Sequence, residues 1–199
     1  MDGVVETARH GAEGGVDLIQ IRETGLMDRD LLWLVRQVVA VVRHTAARVL
    51  VNGRTDVALA AAAHGVHLPA SAPLASRVRR IVPPDFLIGR SVHSRAEADA
   101  AAADGGCDYL TFGTVFATTS KPADHTIAGV SALQQVCEAV CVPVLAIGGI
   151  SRQRMPEVAR AGAAGAAAIG LFLDTAASAQ EMRTLVDGLR LAYNDGLRG

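Results

Sequence analysis

Residues 88–121 open with Ile-Gly-Arg-Ser-Val-His-Ser (Ile88–Ser94) and close with Phe-Gly-Thr-Val-Phe-Ala-Thr-Thr-Ser-Lys (Phe112–Lys121), with an alanine-rich run from Arg95 to Cys107 between them. The order is apolar strand, polar residues at its C-terminal end, helix, apolar strand, polar residues again. This spells one βαβ unit with its chemistry gathered at a single edge. In parallel folds of this kind, polar groups just past the carboxyl ends of strands build the site. Ser91, His93, Thr118, Thr119, Ser120 and Lys121 would converge on that edge.

Working outward, the same alternation recurs. Helices are expected over Gly3–Gly14, Asp30–Thr45, Asp56–His64, Leu74–Arg80, Ala96–Gly105, Val130–Val140, Met155–Ala161 and Ser178–Tyr193. Strands are expected over Val16–Arg22, Arg48–Asn52, Gly65–Leu68, Phe86–Ser91, Asp108–Gly113, Pro143–Gly148 and Gly165–Gly170. The strands are short and apolar on both faces, which calls for a parallel sheet covered by helices. Seven βα units behind a leading helix predict an α/β (β/α)8 TIM barrel that lacks its first strand, in one domain spanning residues 1–199. Such a gap leaves two sheet edges, to be closed by an upstream strand, another element or another subunit. A doubly wound sheet would need a glycine-rich fingerprint after its first strand, and Gln20-Ile-Arg-Glu-Thr24 is not one.

Composition excludes several classes. A formal net charge of −1 gives nucleic acid or an anionic membrane no hold. The start, Met-Asp-Gly-Val-Val-Glu-Thr, lacks a signal peptide's basic and apolar regions, and no apolar run is long enough to span a bilayer. Cys107, Cys137 and Cys141 lie in apolar surroundings without a CxxC and read as reduced core thiols of a cytoplasmic protein.

Glycines after the last two strands, in Ala146-Ile-Gly-Gly-Ile150 and Ala168-Ile-Gly-Leu171, let backbone N–H groups approach an anion. In barrels this pair of loops is the usual phosphate site, which nominates Gly148, Gly149, Ile169 and Gly170. Thr118–Lys121 adds hydroxyls and the only lysine in the chain. Arg22 could bind an anion or pair with Glu23, which could instead serve as acid or base. Asn52 would present a neutral amide, and Asp56 reads as a helix cap. His67, inside a strand, reads as a core histidine, whereas His93 lies among polar residues past a strand end. No spacing suits zinc, no carboxylate pair suits Mg²⁺, and no GxSxG turn is present.

Taken together, several stretches carry a specific signal: Gln20-Ile-Arg-Glu23, Val51-Asn-Gly-Arg-Thr-Asp-Val-Ala58, Gly65-Val-His-Leu-Pro69, Ile88–Ser94, Phe112-Gly113, Thr118–Lys121, Ala146–Ile150 and Ile169-Gly170. They resemble the thiamin phosphate synthase superfamily, most closely its thiazole tautomerase branch. The synthases join a pyrimidine pyrophosphate to a thiazole phosphate with Mg²⁺. Against their pattern, Thr24 replaces a lysine, Gly53 replaces a metal-binding aspartate, and Ala70-Ser71-Ala72 stands where a second is expected. The tautomerase branch aromatises a carboxythiazole phosphate and carries a histidine where this chain has Thr114.

The resemblance therefore implies an isomerase that binds a phosphorylated thiazole, needs no cofactor or metal, and forms a homodimer. His93 would be its acid–base group, helped by Glu23 or by a water on Thr114. Gln20, Arg22, Asn52, Ser91 and Thr118–Lys121 would bind substrate. The alternatives are the synthase itself and a non-catalytic binder of thiazole or thiamin phosphates.

Overall fold

The computed structural model describes residues 2–118, 126–173 and 178–198, leaving aside the side chain of Asp2. Thr119, Ser120 and Lys121 lie outside the described residues. Helix α1 (Asp2–Glu13) leads into β1 (Leu18–Ile21), α2 (Asp28–Val42), β2 (Arg48–Asn52), α3 (Thr55–Ala60), β3 (Gly65–Leu68), α4 (Ala75–Arg79) and β4 (Leu87–Val92). Then come α5 (Arg95–Asp104), β5 (Tyr109–Phe112), α6 (Gly129–Ala139), β6 (Val144–Ile147), α7 (Met155–Arg160), β7 (Gly165–Ala167), α8 (Gly170–Leu173) and α9 (Ala179–Arg198).

The seven strands form one parallel sheet in sequential order, β1 to β7. Among the described residues, β1 and β7 are its edges. The sheet is rolled far enough for the two ends of the chain to meet. Helix α9 packs on both α7 and α1. Arg183 donates to the Glu13 carbonyl, and Arg190 donates to the Gly15 carbonyl and the Asp17 carboxylate. These bonds fasten the last helix to the turn before β1. This is the TIM-like α/β arrangement that the alternation predicts.

Helix α2 shows why the units fold as they do. Leu31, Leu34, Val35, Val38 and Val42 recur at helical spacing and are buried together against the sheet, while Asp28 and Asp30 sit in the first turn. Carboxylates there oppose the positive end of the helix dipole. Truncating Leu34, which is fully buried, would cost about 2–5 kcal/mol.

Along each strand the outward residues enter the helix-facing core: Val49 and Val51, Val66 and Leu68, Ile88 and Val92, Leu110 and Phe112, Val144 and Ala146. The alternate residues face the inside of the roll. The pairing places Asn52 beside His67, His67 beside Gly89, and Ser91 beside Thr111.

Several boundaries differ from the sequence reading, each for a local reason. The strand expected over Gly165–Gly170 stops at Ala167, because Gly170 begins a short helix whose first N–H bonds return to the Ile169 carbonyl. Helix α5 starts one residue earlier, since Ser94 caps it by accepting the Glu97 N–H. Asp56 is not the cap of α3. It lies inside the first turn, and its carboxylate is held by Arg54.

Candidate active site

A belt of polar side chains crosses the inside of the roll near the C-terminal ends of β1–β5. Gln20 Nε2 donates to Asn52 Oδ1 at 2.9 Å. The next strand contributes His67, which is 3 % exposed. Its Nε2 lies 2.8 Å from Ser91 Oγ and its Nδ1 lies 3.0 Å from Tyr109 Oη. Thr111 Oγ1 lies 3.4 Å from both His67 Nε2 and Ser91 Oγ. Burial pushes the His67 pKa down to about 4, and the same cause raises that of Tyr109. Both side chains are therefore neutral over the physiological range.

The structure thus brings Gln20, Asn52 and Ser91 together, as the sequence reading expects, and adds His67, Tyr109 and Thr111. The reading of His67 as a satisfied core histidine holds, since it is buried with both ring nitrogens paired, and the structure adds the identity of its partners. A signal for them exists in the sequence. Gly89 and Ser91, Tyr109 and Thr111, and Gly65 and His67 are each two residues apart, so each pair shares a strand face. Which face is inner depends on the packing of the helices.

Arg22 and Glu23 follow β1 and are exposed. A cavity of about 250 Å³ opens there, lined by Glu23, Thr24, Asn52 and Arg54 among others. Arg54 donates to Asp28 at 2.6 Å and to Asp56 at 2.7 Å. Its guanidinium holds both carboxyls below their usual pKa. Gly53 has φ +70°, a left-handed conformation that glycine adopts without cost.

Mg²⁺, which the resemblance implies for the synthases, finds no protein ligand set among the described residues. Gly53 offers no side chain, Asp28 and Asp56 are occupied by Arg54, and the described residues contain no cluster of three metal-ligating side chains.

On the far side of the roll, Gly148 (φ +100°) and Gly149 (φ +62°) form the loop after β6. Phe116 N–H donates to the Gly148 carbonyl, and Arg154 donates to the Gly149 carbonyl while lying over the Phe116 ring. A Cβ on Gly149 would strike the Ala117 carbonyl. Ile169 and Gly170 stand at the start of α8, one strand over. Thr114 is 8 % exposed, and its carbonyl accepts the Ala128 N–H, closing the base of the loop that carries Thr118.

His93 is not brought into the belt. It lies past β4 beside α5, with Nδ1 3.3 Å from Glu97 and its side chain 55 % exposed.

Comparison with known proteins places this arrangement. Residues 2–172 match the family described as thiamine monophosphate synthase. A thiamine-phosphate synthase of Methanoculleus marisnigri is 41 % identical over 191 residues, 96 % of this chain and 90 % of the relative. One from Methanoregula boonei is 37 % identical, over 96 % of this chain and 89 % of the relative. A solved thiamine phosphate pyrophosphorylase from Pyrococcus furiosus superposes with a TM-score of 0.82 at 32 % identity, covering 97 % of this chain and 90 % of that one. A 3-hexulose-6-phosphate synthase structure, at TM-score 0.71 and 21 % identity, shows the fold alone.

These relatives overturn the expectation of a tautomerase-type isomerase, because they bear the synthase name over nearly the whole chain. The acid–base task that the isomerase reading gave to His93, Glu23 and Thr114 goes with it. The chain belongs to the thiamine monophosphate synthase family.

Proposed function

We propose that the protein is a synthase-type transferase that joins a pyrimidine, delivered as its diphosphate ester, to a thiazole phosphate. A carbon–nitrogen bond forms between the two heterocycles and pyrophosphate leaves. The observation that carries this reading is the neutral polar belt inside the roll. Gln20, Asn52 and Ser91 stand there where the family resemblance puts the heterocycle contacts.

Neutral donors and acceptors suit uncharged aromatic rings, whose orientation they fix without the desolvation cost of a charge. Gly148, Gly149, Ile169 and Gly170 would take the thiazole phosphate through backbone N–H groups. Arg22 at the rim, together with Thr118, Thr119, Ser120 and Lys121, would face the remaining anionic oxygens. With no carboxylate set for a metal among the described residues, leaving-group charge would fall to these cations and to whatever ions the substrate brings. No helix of the described residues is long and apolar enough to cross a membrane.

The test is a transfer assay with both substrates, with and without added Mg²⁺, following pyrophosphate and the joined product. Product formation above the buffer rate is expected. Absence of pyrophosphate from a folded protein whose melting temperature rises with both ligands would replace the transferase by a non-catalytic binder.

A further inference from the structure

We propose that His67 is a positioning residue: held between the Tyr109 phenol and the Ser91 hydroxyl, it makes Ser91 a hydrogen-bond donor toward a ring nitrogen of the bound heterocycle. The identity of the ligand rests on the transferase reading, whereas the polarity of the hydrogen-bond chain follows from its geometry.

A neutral imidazole has one donor nitrogen and one acceptor nitrogen. His67 faces one hydroxyl at each: Tyr109 Oη at 3.0 Å from Nδ1 and Ser91 Oγ at 2.8 Å from Nε2. Tyr109 is 9 % exposed, and among the described residues His67 is the hydrogen-bond partner its hydroxyl reaches. A buried O–H left without an acceptor costs more than a hydrogen bond gains, so the phenol donates to Nδ1. The imidazole proton must then sit on Nε2 and be donated to Ser91 Oγ. Thr111 Oγ1 also donates to Ser91 Oγ, from 3.4 Å. With its oxygen engaged as acceptor, Ser91 directs its own proton away from His67 toward the open inside of the roll.

Two features show that the relay is built in. Gly89, paired with Tyr109 across the β4–β5 ladder, lies under the phenol, and a Cβ there would overlap the ring. Glycine in mid-strand costs stability and is explained by close approach of another group; here that group is the tyrosine. Burial also keeps His67 neutral down to a pH of about 4, so the tautomer stays fixed wherever the protein works.

The partner of Ser91 must accept a hydrogen bond. The inward-facing residues of the belt, Gln20, Asn52, His67, Ser91, Tyr109 and Thr111, carry no charge, and Arg90 points outward to the carbonyls of Ala70, Ala72 and Pro73. A phosphate oxygen there would be left without a cation, whereas a ring nitrogen lone pair is matched by one neutral donor.

Long-range ¹H–¹⁵N spectra of the labelled wild-type protein read the tautomer directly, with His67 assigned by its loss in His67→Gln or by its perturbation in Tyr109→Phe. A pyridine-type Nδ1 and a protonated Nε2 are expected; a protonated Nδ1 overturns the relay whatever the protein catalyses. In Tyr109→Phe the fixed tautomer should give way to a mixture. KM for the pyrimidine diphosphate should rise about fivefold, with a smaller fall in kcat. An unchanged KM removes the positioning role. If the wild type transfers nothing yet shows the expected tautomer, the transferase reading fails and the relay stands. Its ring-nitrogen partner is then read from binding: an analogue with CH in place of the ring nitrogen should bind about fivefold more weakly to wild type and no more weakly to Ser91→Ala. Equal binding of the two ligands to wild type overturns that assignment.

Discussion

Strands β1–β5 and the loops after β6 and β7 open on the same edge of the sheet but offer a ligand different chemistry. The first region presents side chains, with Gln20 bonded to Asn52 and His67 bonded to Ser91 and Tyr109. The second presents backbone, with Gly148 and Gly149 at positive φ and α8 beginning at Gly170. Side-chain networks recognise by the direction of each donor and acceptor. Backbone N–H groups recognise charge and tolerate no added atoms. On the proposed transferase reading, orientation of a ring and capture of a phosphate would be divided between two sides of one roll, and mutations on the two sides should fail differently.

The largest effect is expected on the glycine side. Gly149→Ala places a Cβ against the Ala117 carbonyl and keeps an L residue at φ +62°. A loss of about 2–3 kcal/mol of stability is expected, together with loss of thiazole phosphate binding. Thermal melts with and without the ligand check this, and a ligand-induced shift equal to that of wild type would dissolve the distinction between the sides.

The next effect sharpens the side-chain half through pH. His67 is neutral when folded, with its pKa pushed from 6.5 to about 4, whereas in the unfolded chain it takes up a proton below 6.5. The unfolded state therefore binds more protons between those values. The contribution of His67 to stability is full above pH 6.5 and is lost as pH falls toward 4, by up to about 3 kcal/mol. Denaturant titrations at pH 7 and pH 4.5 should show a smaller difference for His67→Gln than for wild type. Equal slopes would mean that His67 does not carry this dependence.

The smallest effect concerns His93, outside both regions. It and Glu97 are about half exposed, so His93→Ala should cost less than about 0.5 kcal/mol and leave turnover within about twofold of wild type. A large fall in turnover would bring it back into the site.

Much of the fold was legible because its signals are local. The apolar spacing of Leu31, Leu34, Val35, Val38 and Val42 defines α2, and the succession of short, largely apolar strands separated by helices requires a parallel sheet with helices covering its outer face. Legibility failed where a boundary depends on a single conformational choice, as at Ala167, where strand gives way to a helix that glycine opens. For the candidate site, Gln20, Asn52 and Ser91 were nominated because they lie near strand ends, and the structure places all three on the inner face of the sheet. The isomerase reading gave too much weight to Gly53 and the His93 stretch, although Thr114 already departed from the tautomerase pattern, and similarity along the whole chain to synthases outweighs those few positions.

The sequence alone determined the succession of seven βα units, the parallel sheet that follows from it and the glycine turns at its ends, since each is encoded within a few neighbouring residues. Only the tertiary structure decided that His67 meets Tyr109 and Ser91, which lie 42 and 24 residues away, and that Arg54 takes Asp28 as well as its neighbour Asp56. Those pairings depend on the stagger between neighbouring strands and on which face the helices cover. Both are set when the whole sheet closes and buries its core, a sum of distant contacts that no local stretch records.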